Sequence, residues 1–316
     1  MKSLRILADK ILTLLLLLMV VDLLTGAAAG YLLDKQKDGR YFKCQYTLQK
    51  THEDIIILGS SRAEYNYNPA AIRKVLGMSC WNAGSAGQSI LYFSTIEKVI
   101  LNRYSPRLII LNMDLNALES DPDYDRMAIL RPFARYNPEI FQTLSRKDSR
   151  EKYKLRSNIY TCNSILFYFT RPFFLKNKDG KPADMGWKSR TETVSSVKIE
   201  QDSISRLSAR LNRLNPMKAE LFDEMLALAK QRNSRIIVTF CPDYFPALSP
   251  TPTKDYIMSV CRLKNVEVID FTKNTTLTGK QDLFYDTEHF NVKGANLFSV
   301  MLAEKVREYL QASPGK

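Results

Sequence analysis

The sequence predicts an α/β fold, a three-layer α/β/α sandwich around a parallel sheet of about five strands, preceded by an N-terminal transmembrane helix. Three observations predict it. Short apolar runs rich in Ile and Val recur along the chain, helical patterns separate them, and a long apolar segment stands at the start. Strands that alternate with helices are typical of parallel sheets covered on both faces.

The first 33 residues are predicted to form a signal-anchor helix. Residues 11–33 are almost continuously apolar, with Asp22 as the only charge, and about 20 such residues span a bilayer as a helix. Cleavage at Ala27-Ala28-Ala29 is the alternative, but the apolar run continues past these small residues, which favours an uncleaved anchor. In both cases we expect the main domain to be extracytoplasmic. The polar residues 34–50 indicate a juxtamembrane linker.

Short apolar runs are predicted as the strands of a domain that covers residues 51–316. They are residues 54–58, 78–81, 107–111, 235–241 and 266–271. Open α/β sheets bind ligands at the carboxyl ends of their strands, so the residues that follow these runs are candidates for a functional site.

Helix signals lie between the predicted strands. Asn68-Pro69 and Asn215-Pro216 each place a capping asparagine before a first-turn proline. Helices are also predicted over residues 89–102 and 293–311. Residues 118–203 break the alternation and are rich in aromatic and basic side chains. We interpret them as an insertion.

Composition limits the classes of partner and cofactor. Lys and Arg number 46 against 33 Asp and Glu, which gives a formal net charge of +13. A generic basic surface explains this excess, as does attraction to anionic membranes or acidic glycans. No basic run interleaved with aromatics indicates nucleic acid. The five cysteines form no C-x-x-C pair and no zinc spacing, so no metal and no cofactor are predicted, while one disulfide stays open.

Three separated motifs predict one chemistry. Gly59-Ser60-Ser61 follows the first predicted strand, Asn82 to Gly87 have the pattern N-x-G-x-x-G, and Asp286-x-x-His289 lies near the C-terminus. A serine hydroxyl needs an adjacent base to attack a carbonyl, and a histidine oriented by a carboxylate supplies one. The order and strand context of the motifs therefore predict nucleophilic acyl chemistry.

These motifs resemble the sequence blocks of the SGNH/GDSL hydrolase family, with Ser60 where the family has an aspartate. The anchored Gly-Ser-Ser form is similar to envelope members that act in D-alanine transfer to teichoic acids and in alginate acetylation. The resemblance implies a flavodoxin-like sheet, with Ser61 as nucleophile, His289 as base and Asp286 as the residue that orients the imidazole. It also implies that the backbone N–H groups of Ser61 and Gly87 donate to the oxyanion.

The family's third block is altered in this chain. It normally reads G-x-N-D, with an asparagine that donates to the oxyanion, and here the stretch is Leu111-Asn112-Met113-Asp114. Asp114 stands where that asparagine belongs, and an ionised carboxylate can only accept. Loss of one oxyanion donor typically costs about 10²–10³ in rate. Either Asn112 or Asn116 supplies the amide, or Asp114 is protonated, or two donors suffice, or the protein is a weak enzyme or none.

The function that these features predict is that of a membrane-anchored serine esterase or O-acyltransferase. Its substrates would be acyl esters, acetyl first among them, of an envelope glycan or related polymer. Transfer rather than hydrolysis would imply a membrane-bound O-acyltransferase as partner. The alternatives are a catalytically silent protein of the same fold that binds glycan or organises an assembly, and a lipase-like esterase that acts on lipids.

Arg62 and His52 each have a local interpretation beside a functional one. Arg62 directly follows Ser61, where it would pair with a substrate carboxylate or phosphate, or fix the helix and loop locally. His52 precedes the first predicted strand in a polar stretch, and we interpret it as a solvated loop residue rather than a base.

Overall fold

The computed structural model describes residues 2–120, 127–163, 165, 168, 184–207, 213–246 and 251–312. The chain divides into two units. One comprises Met1–Cys44 with Met127–Gly180, and the other comprises Gln45–Arg126 with Lys181–Lys316. The predicted insertion over residues 118–203 includes the segment Met127–Gly180, which is grouped with the first 44 residues.

The larger unit contains a five-stranded sheet in the order β2-β1-β3-β4-β5. The strands are β1 (Ile55–Leu58), β2 (Cys80–Asn82), β3 (Leu108–Asn112), β4 (Arg235–Phe240) and β5 (Glu267–Asp270). Every neighbouring pair is parallel. The predicted parallel α/β fold is confirmed, and this order is the flavodoxin-like one, with its switch point between β1 and β3.

The strands form where they do because their β-branched side chains are buried on both faces of the sheet. Alternate residues of β1 and β3, such as Ile55, Ile57 and Ile110, belong to one buried cluster with Phe298 and Leu302 of the last helix. Their neighbours Ile56 and Ile109 point to the other face and are also buried. Complete burial of one such side chain is worth about 1.5–3 kcal/mol.

Helices precede, separate and follow the strands along the chain. In the described part of the chain they are α1 (Lys2–Lys35), α2 (Gly39–Gln49), α3 (Ser61–Asn66), α4 (Pro69–Leu76), α5 (Ile90–Arg103), α6 (Pro138–Lys147), α7 (Glu151–Lys154), α8 (Ser196–Leu207), α9 (Pro216–Gln231), α10 (Pro252–Lys264) and α11 (Val292–Ala312). The two Asn-Pro starts are helix caps, since Asn68 accepts from the N–H of Ala70, and Asn215 accepts from those of Met217 and Lys218. α4 packs against α11, and α5 packs against α9.

The smaller unit is built on α1. This helix is long and apolar enough to cross a membrane. Its Asp22 carboxylate accepts hydrogen bonds from the Ser157 hydroxyl (2.7 Å), from the backbone and side-chain amides of Asn158, and from the Ile159 N–H (3.0 Å). Residues 158–163 are helical, so Asp22 satisfies the open N–H groups at the start of that helix.

The predicted juxtamembrane linker, residues 34–50, is largely helical. It contains the last residues of α1 and the whole of α2. Tyr41, Cys44 and Leu48 are buried, because they recur at the spacing of one helix face. Polar residues separate these three side chains, so the overall composition of the segment does not indicate the short apolar face.

All five cysteines are free and buried. The disulfide that the cysteine count left open is thus not formed. Burial raises the pKa of the Cys80, Cys241 and Cys261 thiols, so these groups behave as small hydrophobic side chains.

Candidate active site

Ser61 is presented by a tight turn between β1 and α3. It is the first residue of α3, directly beyond the carboxyl end of β1 and at the switch point of the sheet. Gly59 before it has φ +146°, and a Cβ there would lie 2.8 Å from the backbone oxygen of Asn112 at the end of β3. Only glycine therefore allows the turn to pass this close to β3.

The structure brings Ser61, His289 and Asp286 into one chain of hydrogen bonds. His289 Nε2 lies 2.8 Å from Ser61 Oγ, and His289 Nδ1 lies 2.9 Å from Asp286 Oδ2. With Nδ1–H donated to the carboxylate, Nε2 is free to accept the proton of the serine hydroxyl. This is the arrangement that a serine nucleophile, a general base and an orienting acid require.

The Asp286 carboxylate also organises its own turn. Its Oδ1 accepts the backbone N–H groups of Glu288 (2.8 Å) and His289 (2.8 Å). Burial raises the pKa of Asp286, but the hydrogen bond and charge of His289 and these backbone N–H groups outweigh burial and lower it. The carboxylate is therefore held in its ionised form, the form that stabilises a protonated imidazole.

Two neighbours of Ser61 on α3 hold the histidine. Asn66 accepts the N–H of Phe290 (2.8 Å) and donates to the backbone oxygen of Glu288 (3.4 Å). The ring of Tyr65 meets the His289 ring edge to face, with centroids 5.1 Å apart. One short helix thus carries the nucleophile and fixes the loop that carries the base.

The motif from Asn82 to Gly87 shapes the second wall of the site. The buried Asn82 side chain donates to the backbone oxygens of Ala63 (2.7 Å) and Tyr67 (2.8 Å) and accepts the N–H of Gly84 (2.9 Å). Gly87 has φ +71°. Among the residues that the structure describes, the backbone N–H groups of Ser61 and Gly87 donate no hydrogen bond. Both are available to an oxyanion.

The altered third block has a different role from the one its position suggests. Asp114 accepts hydrogen bonds from the Ser60 hydroxyl and from the Asn112 side-chain amide (3.1 Å), and it forms an ion pair with the Arg62 guanidinium (3.2 Å). The Asn112 side-chain oxygen accepts from the hydroxyl of Tyr67 (2.8 Å), and Asn112 is buried. The Asn112 amide, one of the two alternatives for an oxyanion donor, is thus bound to Asp114, while Asn116, the other, is exposed.

Arg62 lies among carboxylates rather than facing open space. Its Nε and Nη2 donate to Asp243 at 2.9 and 3.1 Å, in addition to the contact with Asp114. Burial lowers the pKa of Arg62, but Asp243, Asp114 and Glu288 raise it well above its usual value. These contacts favour the local, structural interpretation over the predicted pairing with substrate. His52 is exposed, as the sequence indicated.

Sequence reasoning missed Asp243, Tyr65 and Asn66. Asp243 follows β4 within three residues, so the rule that sites lie at the carboxyl ends of strands was a signal for it. Tyr65 lies one helical turn after Ser61, on the same side of α3 as the nucleophile, and Asn66 follows it as the last residue of the helix. No motif marks them, because their partners are loop atoms more than 200 positions away in the chain.

A cavity of about 320 Å³ opens beside the Asp286 loop. Its lining residues are Lys198, Asp202, Asp243, Phe245, Asp286, Thr287 and Glu288. The lining is acidic on balance, in contrast to the basic balance of the whole chain.

Comparison with known proteins gives a distant likeness in structure alone. No family model matches the chain, and no curated protein matches it in sequence. A lipase/acylhydrolase from Enterococcus faecalis is 13% identical, with 81% of this chain and 96% of that one covered and a TM-score of 0.39. A GDSL-like lipase from Bacteroides thetaiotaomicron is 10% identical, with 81% and 88% covered and a TM-score of 0.36.

A variant of an acetyl-xylooligosaccharide esterase from a Geobacillus species is also similar. It is 10% identical, with 84% of this chain and 96% of that one covered and a TM-score of 0.39. At these TM-scores the likeness assigns neither a reaction nor a substrate. The chain is thus an α/β protein that is distantly similar to esterases and acylhydrolases, and its chemistry follows from its own side chains.

Proposed function

We propose that this protein is a serine esterase or O-acyltransferase that acts on acyl esters. The observation that carries the proposal is the continuous hydrogen-bonded chain from Ser61 Oγ through His289 to Asp286, at 2.8 and 2.9 Å. These distances lie within the range for proton transfer between a nucleophile and its base.

The reaction follows from that geometry. His289 Nε2 takes the proton of Ser61 as Oγ bonds to the acyl carbon, and Asp286 stabilises the imidazolium that forms. The oxyanion accepts the backbone N–H groups of Ser61 and Gly87. As the bond between the acyl carbon and the ester oxygen breaks, His289 returns the proton to the leaving alcohol. Water or an acceptor hydroxyl then attacks the acyl-enzyme by the same proton transfers in reverse.

The substrate that we propose is an acetylated envelope glycan or related polymer. The cavity beside the Asp286 loop has four acidic residues and one lysine in its lining. A polyanion would meet like charges there, so a neutral acylated sugar suits this wall better than an acidic one. If the reaction is transfer, a membrane-bound O-acyltransferase is the class of partner that would supply the acyl group.

We further propose that α1 is a retained membrane anchor and that the triad lies outside the cytoplasm. Ala29 and Leu33 of α1 are buried, and Asp22 binds residues 157–159. Cleavage at Ala27-Ala28-Ala29 would remove Asp22 and leave the N–H groups at the start of the following helix without their acceptor, which is unfavourable.

The test is covalent labelling of the full-length protein with a fluorophosphonate. We expect labelling of the wild type, a loss of at least roughly 10³-fold for Ser61→Ala, and no change for Ser105→Ala, an exposed serine before β3. If the folded wild type is not labelled, the proposal is wrong. Because Asp114 replaces an oxyanion donor, that result would favour the second candidate, a catalytically silent protein that binds glycan.

A further inference from the structure

We propose that Asp114 is a positioning residue for the nucleophile, because it binds the residues on both sides of Ser61. This inference rests on the proposed function and adds a role for a residue outside the triad. Asp114 follows β3, the strand adjacent to β1. Its carboxylate thus joins the end of one central strand to the turn that presents Ser61 from the next.

The contacts of Asp114 are those of an acceptor. Its two oxygens accept hydrogen bonds from the Ser60 hydroxyl and the Asn112 amide, and one of them also forms an ion pair with the Arg62 guanidinium. Its side chain is only 13% exposed, so these hydrogen bonds are shielded from solvent. These contacts direct the Asp114 oxygens toward the turn that carries Ser61.

The contact with Ser60 changes how α3 begins. Ser60 is the N-cap residue of α3, and a serine at this position normally accepts an N–H of the first turn through its hydroxyl. Here the Ser60 side chain makes no capping hydrogen bond, and its hydroxyl is turned toward Asp114, to which it donates. The direction of the turn is therefore set by β3 and not by the helix alone.

The contact with Arg62 fixes the other side of Ser61. The guanidinium binds Asp114 at the end of β3 and Asp243 beyond the end of β4, with one N–O distance of 3.2 Å and others of 2.9 and 3.1 Å. A planar guanidinium held by two carboxylates has little rotational freedom. Ser61 therefore lies between two immobilised neighbours, which fixes the direction of its backbone N–H and of its Cβ.

An asparagine at position 114 would fit this surrounding poorly. Its amide NH₂ would face donors from Ser60 or Arg62, and one of the acceptor sites would be lost. The donors around position 114 thus suit a carboxylate rather than an amide. With a carboxylate there, the side chain does not provide a third donor to the oxyanion. In this chain the oxyanion depends on the two backbone N–H groups, and their alignment depends on the turn that Asp114 holds.

The test is the fluorophosphonate reaction of Asp114→Asn, resolved into binding affinity and maximal rate of inactivation. We expect the maximal rate to fall by about 10–10² with unchanged affinity, since a misaligned site loses reactivity at this order. Asp270→Asn is the matched control, a paired carboxylate at the end of β5 that contacts Lys254 and Thr272, and it should react like the wild type.

The direction of the change decides between two roles for position 114. If Asp114 only stood in for a missing amide, Asp114→Asn would restore a donor and accelerate inactivation by about 10²–10³, and the inference would be overturned. An unchanged rate would overturn it as well. Ser60→Ala should also slow inactivation. The variant that carries both Ser60→Ala and Asp114→Asn should be no slower than Asp114→Asn alone, because both substitutions act on the same contact, that of the Ser60 hydroxyl with Asp114.

The failure of this inference is distinct from that of the proposed function. A wild type that is labelled at Ser61, together with a fast Asp114→Asn variant, refutes only the positioning role. A wild type that is never labelled refutes the serine chemistry and the positioning role together.

Discussion

The Asp286 carboxylate accepts two kinds of hydrogen bond, and substitution by asparagine should affect them differently. It accepts backbone N–H groups of its own turn, and it accepts Nδ1–H of His289. An asparagine oxygen can still accept the backbone N–H groups, so the turn should persist. The imidazole, however, loses the charge that orients and stabilises it.

We expect Asp286→Asn to remain folded and to lose reactivity by roughly 10⁴-fold, the order seen when a triad carboxylate becomes an amide. The measurement is the rate of ester hydrolysis, with the far-UV circular dichroism spectrum as a check on folding. Asp282→Asn is a suitable control, since Asp282 lies nearby but is exposed and pairs with Lys293. A small effect for Asp286→Asn would show that Asp286 does not act as the residue that orients and stabilises His289.

The sequence predicted the triad residues but not the interactions of Asp114. A pattern of residue types identifies a nucleophile and a base because their chemistry is specific to serine and histidine. It cannot show which of several donors a carboxylate binds. Asn112 is a near neighbour of Asp114 in the chain, but Ser60 and Arg62 reach Asp114 only because β1 and β3 are neighbours in the sheet.

The helix α3 is short for the number of contacts it makes. Its six residues include Ser61, Arg62, Tyr65 and Asn66, and each of these touches a different part of the site. The helix is therefore held by hydrogen bonds to loops more than by an apolar face, and single changes in it should act on the site directly.

We expect Asn66→Ala to lower the free energy of unfolding by about 1–3 kcal/mol, because it leaves the buried N–H of Phe290 without a partner. It should also slow the fluorophosphonate reaction, since His289 precedes Phe290. Asn68→Ala is the matched control. It removes the cap of α4 at a cost of about 0.5–2 kcal/mol and should leave the rate unchanged. Equal rates for both variants would refute the role of Asn66.

The elements were predicted from sequence with unequal success, and the reason lies in their burial. Each strand was located to within two residues, because buried parallel strands are continuous apolar runs. The helix α2 was missed, because only Tyr41, Cys44 and Leu48 form its apolar side. The grouping of residues 127–180 with the first 44 residues depends on contacts such as Asp22 with Asn158, which no local pattern encodes.

The pH dependence of stability for the whole chain should be set by two kinds of carboxyl group. Asp54, Asp270 and Asp286 have pKa values below their usual 3.8, because hydrogen bonds outweigh their burial. Glu97 on α5 behaves in the opposite way. Burial raises its pKa well above 4.5, and neither of its oxygens has a hydrogen-bond partner among the described residues.

The signs follow from linkage. The three aspartates contribute stability that is present above their unfolded pKa and lost as the pH falls through the lower folded pKa. Glu97 contributes stability that is present below its unfolded pKa and lost as the pH rises through the higher folded one. We therefore expect the free energy of unfolding to fall below about pH 4 and also to decline from about pH 5 upward on account of Glu97.

Urea unfolding across this pH range checks the prediction, with Glu97→Gln as the test and the exposed Glu308→Gln as its control. Glu97→Gln should remove the decline on the upper side and leave the acid side unchanged. A wild-type profile that rises steadily from pH 5 to 8, unaffected by Glu97→Gln, would show that Glu97 is not buried as a neutral acid.

The reactivity of the buried thiols reports how often the folded chain opens. No cross-link constrains the native state, so the chain can reach it without an oxidant, in a reducing or an oxidising compartment alike. Each of the five thiols is buried in the folded protein. An alkylating reagent can therefore react with it only when the surrounding structure opens. Cys44 and Cys162 lie in the smaller unit and Cys80, Cys241 and Cys261 in the larger one. The order in which they are trapped would rank the two units by the frequency of their spontaneous unfolding.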